Sequence, residues 1–247
     1  MRTIRTLILC LLAVFAIGAV ASASASAFNF EWEVCKEGGT EKFETNKCSK
    51  TSGTGKWSWG KLEAKETEKV VSNHVAGTQT LLTISGKTLM NCTKVVGKGT
   101  ITGGKPGTAD LTEILFTGCT TSQTGCSVKT AGRKNGEVVW SNIPTKLEER
   151  ETSTKVKVLA DNFEQNATTK EIATYKFEGT CNGFPFTETK LKGTVAAEVK
   201  NLSNGAVELN FPSPRLEEDT LEWFGAIVLF TSRDELSLEN GRALRAK

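Results

Sequence analysis

The chain reads as an all-β protein, a mainly antiparallel sandwich or barrel-like meander stapled by disulfides. Three observations predict this. Apolar and polar residues alternate with period two in several separate stretches, the pattern of half-buried strands. Asn-Gly pairs recur at Asn135-Gly136, Asn182-Gly183, Asn204-Gly205 and Asn240-Gly241, and both residues tolerate the positive φ of tight hairpin turns. Beyond residue 27 stand Cys35, Cys48, Cys92, Cys119, Cys126 and Cys181, an even set suited to a disulfide framework.

Residues 1–27 have the form of a secretory signal peptide. Arg2 and Arg5 precede an apolar run from Leu7 to Val20, and ASASASA follows. Cleavage is expected after Ala27, leaving Phe28 first. The apolar run is too short for a spanning helix. Leu9 stands before Cys10, where lipidation needs a small residue. No later run is long enough to span a bilayer, so the mature chain is expected to lack a transmembrane anchor and to be secreted or held at the cell envelope. Of 31 basic and 28 acidic residues, only Arg2 and Arg5 fall in residues 1–27, which leaves the remainder almost neutral. With no block of Lys or Arg, nucleic-acid binding has no electrostatic footprint.

The strand candidates follow in order. Phe28, Phe30, Trp32 and Val34 alternate with Asn29, Glu31 and Glu33. Residues 28–76 read as a charged N-terminal β segment with its own cysteine pair, and 77–247 as the main all-β domain. KLEAKETEKVV, from Lys61 to Val71, lacks a sustained apolar face and predicts at most one or two helical turns. The turn GGKPG, Gly103 to Gly107, separates two strands. Val156 and Val158 alternate with Lys155 and Lys157. Leu191, Gly193, Val195, Ala197 and Val199 oppose Lys190, Lys192, Thr194, Glu198 and Lys200, with Ala196 the one apolar intruder. Asn135-Gly136, Asn204-Gly205 and Asn240-Gly241 each sit between alternating runs and predict hairpins. After the break at Pro212 to Pro214, LEWFGAIVLFTS is apolar on both faces and reads as a covered central strand.

The cysteines are expected to form cystines, because an exported chain meets an oxidising compartment. Cys35 and Cys48 flank a turn-rich stretch and are expected to pair. The preferred scheme then joins Cys119 to Cys126 across a polar loop and Cys92 to Cys181. A second scheme joins Cys92 to Cys119: with the GGKPG turn centred between Lys105 and Pro106, these two residues stand directly opposite.

The run ISGKTLMNCTKVVGKGTITGGKPGTADLTEILFTGCTTSQTGCSVKT resembles a widespread group of secreted, cysteine-containing, β-rich bacterial proteins of uncharacterised function. They share a cysteine strand, a G-T-I strand, then F-T-G-C, a short loop and a second cysteine. The resemblance spans residues 78 to 211. It implies an exported β protein and brings no catalytic residues.

Most site chemistries lack their residues. No C-x-x-C occurs and His74 is the single histidine, which argues against zinc and thioredoxin-type redox sites. No cofactor or metal is expected. G-x-S-x-G is absent, so His74 reads as an ordinary surface or loop histidine. Glycoside hydrolysis needs only two carboxylates. The densest clusters, Glu148, Glu149 and Glu151 around Arg150 and then Glu217, Glu218 and Asp219, read as solvated turns. Trp57 and Trp59 in KWSWGK share a face if the segment is a strand, which suits core packing or a sugar platform. The expected function is that of an exported non-enzymatic structural or binding protein, with a cell-surface polysaccharide or another envelope protein as partner. The alternatives are a carbohydrate-binding module using Trp57 and Trp59, and a glycoside hydrolase-like enzyme.

Overall fold

The computed structural model describes residues 30–181, 187–212 and 216–247. The expected signal peptide, its cut after Ala27, the Asn182-Gly183 turn, and Ser213 and Pro214 lie outside the described residues. The strands open with β1 (Trp32–Glu37), β2 (Trp57–Lys61), β3 (Thr67–His74), β4 (Thr80–Ile84), β5 (Lys87–Cys92), β6 (Lys94–Thr102) and β7 (Thr108–Thr117). They continue with β8 (Thr120–Thr121), β9 (Cys126–Lys129), β10 (Val138–Glu151), β11 (Lys157–Glu164), β12 (Ala173–Gly179) and β13 (Glu188–Lys192). The last are β14 (Thr194–Asn201), β15 (Val207–Phe211), β16 (Glu222–Trp223), β17 (Ala226–Ile227), β18 (Leu229–Leu238) and β19 (Leu244–Ala246).

Eight of these strands close a barrel. In the order β15, β14, β11, β10, β7, β6, β3, β18 each pairs antiparallel with the next, and β18 pairs back with β15. Closure leaves these strands without the unpaired edge that an open sheet presents. From the Leu229–Thr231 end of β18, β4, β5 and β8 extend outward. A five-stranded sheet runs β17, β16, β13, β12, β9, and a three-stranded one β19, β1, β2.

The barrel is filled. Phe116 and Trp140 lie 5.0 Å apart between ring centroids, Trp140 and Phe230 4.8 Å, Phe230 and Phe211 4.9 Å, and Phe211 and Phe163 5.1 Å. The buried Trp140 indole N–H donates to the Tyr175 hydroxyl at 2.9 Å. That bond ties the barrel core to the five-stranded sheet, where Tyr175, Phe177, Trp223 and Phe224 pack together. Lys94, Lys98, Asp110 and Lys200 are exposed on the barrel's strands. An apolar interior under a charged exterior is the inverse of a membrane-spanning barrel, whose outer band is apolar. Among the described residues no helix is long and apolar enough to cross a membrane.

The all-β, disulfide-bonded class is what the alternation predicts, and several elements differ from expectation. Lys61–Val71 contains no helix: it is the end of β2, a corner with Lys65 at φ 71°, and the start of β3. LEWFGAIVLFTS is three pieces, because Phe224 and Gly225 both take positive φ and turn β16 back along β17. Of the three expected hairpins, Asn204-Gly205 alone joins two directly paired strands, β14 and β15. After Asn135-Gly136 the chain leaves β9 for β10, which pairs with β7, and after Asn240-Gly241 it leaves β18 for β19, which pairs with β1. The alternation from Leu191 to Val199 is split at Gly193, φ 93°, so β13 joins the five-stranded sheet and β14 the barrel. Ala196 is buried beneath Leu216 with Ala160 and Val158. Val158 therefore faces outward in β11, Val156 is exposed, and Asp161 and Phe163 face the barrel interior instead. β3 belongs to the barrel, while β19 completes the sheet of β1 and β2.

The cystines are Cys35–Cys48, Cys92–Cys119 and Cys126–Cys181. The first is as expected. The preferred Cys119–Cys126 and Cys92–Cys181 pairs are corrected, and register is the reason. β6 and β7 align Lys94 with Thr117, and the same alignment continues as Asn91 with Thr120 and Met90 with Thr121. Cys92 and Cys119 are thereby held face to face. Cys126 opens β9 opposite Gly179 of β12, two residues before Cys181.

Candidate functional site

At one end of the barrel, β3 and β18 place His74 opposite Asp234. His74 Nδ1 is 3.1 Å from Asp234 Oδ1, and Nε2 is 3.0 Å from Thr78 Oγ1 and 3.1 Å from the Thr78 carbonyl. Asp234 Oδ2 accepts from Ser232 Oγ at 2.7 Å, and Ser232 meets Thr80 at 3.0 Å. The order hydroxyl, imidazole, carboxylate is that of a nucleophilic triad, but the protons run otherwise. The Thr78 hydroxyl donates to the Val75 carbonyl at 2.7 Å. The Thr78 carbonyl can only accept, so Nε2 carries a proton and donates. His74 thus ties the end of β3 to the corner at residues 75–80 and activates no nucleophile. It is a buried strand residue, its side chain 6% exposed, and not the surface or loop histidine that its sequence context suggests. Burial pushes the Asp234 carboxyl above its ordinary value, opposed by the Ser232 and His74 bonds.

The interior holds one further acid. Asp161 lines a cavity of about 20 Å³ together with Ser72, Asp234 and the aromatic core, room for one or two waters. Burial pushes its carboxyl up to about 7, and the neighbouring Glu148 adds to the rise. Asp161 Oδ1 makes no hydrogen bond, nor does Thr145 Oγ1. A space of that size admits no sugar ring, so Asp161 and Asp234 are not placed as glycosidase carboxylates.

The two acidic runs meet each other. Arg150, 8% exposed, donates to Glu148 at 2.5 Å, to Glu218 at 2.7 Å, to the Glu217 carbonyl at 3.2 Å and to Asn162 at 3.0 Å. Lys155 pairs with Glu217 at 2.8 Å and Lys157 with Glu149 at 2.6 Å, while Glu151 lies 3.7 Å from Lys155. Asp219 Oδ1 accepts from the Ala196 N–H at 3.0 Å. Glu148, Glu149 and Glu151 lie in β10 and not in a solvated turn, and Arg150, Lys155 and Asp219 fasten the 216–219 segment over the barrel wall. Among the described residues no group of three His, Cys, Asp or Glu side chains is placed to hold a metal ion.

Trp57 and Trp59 do share a face of β2. Both are half-buried against the Cys35–Cys48 cystine, with Phe43 and Ala243. The Arg245 guanidinium lies over the Trp59 ring at 4.3 Å and also pairs with buried Glu33 at 2.5 Å. Glu31 and Glu33, the expected solvent face of β1, are likewise covered, Glu31 pairing with Lys61 at 2.6 Å.

A cleft open to a ligand lies on the outer barrel wall. Asp110 and Thr112 of β7 stand beside Asn142 and Pro144 of β10, with Asp110 directly opposite Pro144. Residues 166–168 wall the cleft, whose volume is about 320 Å³, within the range of small-ligand pockets. Sequence reading missed it. Its signals are faint: a proline within a long strand and the tripeptide Asn166-Ala167-Thr168, on stretches of chain more than twenty residues apart. No protein-family model, curated protein or solved structure matches the chain.

Proposed function

We propose that the chain is an exported, non-enzymatic binding or structural protein of the extracellular space or cell envelope. The observation that carries this reading is the oxidised framework: all six cysteines beyond residue 27 are paired in cystines, the chemistry of an oxidising compartment. The signal-peptide pattern of residues 1–27 agrees with it. Two further features support binding over turnover. The filled barrel leaves no interior chamber for a substrate, and the buried His74, Asp234 and Arg150 are engaged in holding strands and segments together. Contacts with a partner, a surface polysaccharide or another envelope protein, then belong to the outer faces.

The test is the intact mass of the unreduced protein collected outside the cells that make it. The expected mass begins at Phe28 and is lighter by six hydrogens than the fully reduced chain. A product that retains Met1, or that titrates as free thiol, overturns the assignment.

A further inference from the structure

We infer that the cleft on the outer wall of β7 and β10 is a binding site for a neutral, hydroxyl-rich ligand, a carbohydrate. The inference deepens the binding reading above and rests on it.

Three unusual backbone features converge on this spot. Asn142 takes φ 55° in the interior of a fourteen-residue strand, a conformation uncommon outside glycine. Opposite it, β7 carries a bulge: its pairing with β6 shifts by one residue between Lys98 and Gly99, which leaves Thr112 extra. Gly99 accommodates that bulge, because a Cβ there would lie 2.5 Å from the Asp110 carbonyl. Pro144, two residues beyond Asn142, gives up a ladder N–H. Bulges re-aim side chains and cluster beside functional sites, and left-handed non-glycine residues persist where the surroundings enforce them. Here the surroundings are visible. The Asn166 side-chain amide donates to the Asn142 carbonyl at 3.2 Å, and its oxygen accepts from the N–H groups of Thr168 and Thr169 at 2.8 and 3.1 Å. The wall of the cleft is thus tied to the strained residue, and the site is formed before any ligand arrives.

The chemistry of the lining selects the ligand class. The Asp110 carboxylate and the Asn142 side-chain amide make no ion pair or hydrogen bond among the described residues, and both are exposed into the cleft. A carboxylate accepts from two adjacent hydroxyls, and an amide both donates and accepts, which is the complement of a sugar edge. Thr112 Oγ1 donates to the Lys98 carbonyl at 3.1 Å and so keeps acceptor capacity toward the cleft. The Pro144 ring and the Ala167 methyl offer apolar surface for the C–H face of a pyranose. One carboxylate without further carboxylates is a poor match for a calcium ion, which takes six to eight oxygens.

The test is a ¹H–¹⁵N titration of the disulfide-intact mature protein with glucose, galactose, mannose, N-acetylglucosamine and their tetramers. Concentrations to about 20 mM would reveal millimolar affinity. The expected result is saturable shifts at the Thr112, Asn142 and Thr168 amides with at least one probe. Asp110→Ala, at an exposed and unpaired position, is expected to keep the rest of the spectrum and to weaken that binding about tenfold, the loss of a charge-assisted hydrogen bond. Thr168→Ala is a second variant with the same expectation in smaller degree. A flat titration with every probe overturns the site, as do shifts confined to the Trp57 and Trp59 indoles, unchanged binding in Asp110→Ala, or the same shifts from calcium chloride alone. None of these results touches the export assignment, which the intact mass decides.

Discussion

Asp161 is the residue whose ionisation bears most on stability. Its folded carboxyl is pushed up to about 7 against an ordinary 3.8, so between those two pH values it stays largely neutral inside the barrel while the unfolded chain would ionise it. The folded state then binds the extra proton. The contribution is complete below pH 3.8 and is lost as pH rises through about 7, roughly 4 kcal/mol across that window. Urea unfolding of the wild type and of Asp161→Asn at pH 4, 6 and 8 measures this. The variant is expected to lack that part of the decline and to be the more stable of the two at pH 8. Equal pH slopes would sink the assignment. Tyr175 offers a second check. Tyr175→Phe leaves the buried Trp140 N–H without its 2.9 Å partner and is expected to lower unfolding free energy by about 1–3 kcal/mol, read from denaturant midpoints. No change would mean that the indole finds another acceptor.

The junction of β13 and β14 shows how one residue directs a strand. Leu191 through Val199 alternates without interruption in the sequence, yet Gly193 sends its two halves into different sheets. The turn needs φ 93°, and a Cβ at Gly193 would lie 2.3 Å from the Thr220 carbonyl. Gly193→Ala is therefore expected to destabilise by roughly 2–4 kcal/mol, with near-native stability standing against this account. Gly225 does the same for the apolar run at residues 221–232: together with Phe224 it folds back a stretch that is hydrophobic enough for one central strand. In both places the strand propensity is correct and the continuity is not, because alternation says nothing about where a chain bends. His74 is a milder case. Its isolation from catalytic motifs is plain in the sequence, while its burial and its bond to Asp234, 160 residues away, depend on β18 arriving beside β3.

The three cystines are distributed over the whole molecule. One sits beneath Trp57 and Trp59, one joins the paired ends that lead out of β5 and into β8, and one ties β9 to the chain beyond β12. Their loops differ, 27 residues for Cys92–Cys119 and 55 for Cys126–Cys181. By chain entropy they stabilise by about 3.5 and 4 kcal/mol. Replacing Cys126 and Cys181 by Ser is expected to lower the guanidinium midpoint more than replacing Cys92 and Cys119. A peptide map of the unreduced protein checks the connectivity itself, and a Cys119–Cys126 peptide would refute it. Barrel closure has a matching consequence for function. Because the interior is taken by Trp140 and four phenylalanines, the recognition proposed above belongs to the outside, where Asp110, Thr112 and Asn142 lie.

Strand content, turn residues and an even cysteine set are local properties, and each is legible along the chain. Period-two alternation fixes which residues share a face within one segment, and positive-φ residues mark where segments end. The partner of each strand is not local. An alternating segment buries its apolar face equally well against any complementary neighbour, so β10 could not be assigned to β7 and β11, nor β19 to β1, before the barrel closed. Cystine pairing inherits that ambiguity, since Cys119 has Cys126 near in sequence and Cys92 near in space. So does the outer cleft, whose Asp110 and Asn142 meet only because long-range register and a one-residue bulge set β7 against β10.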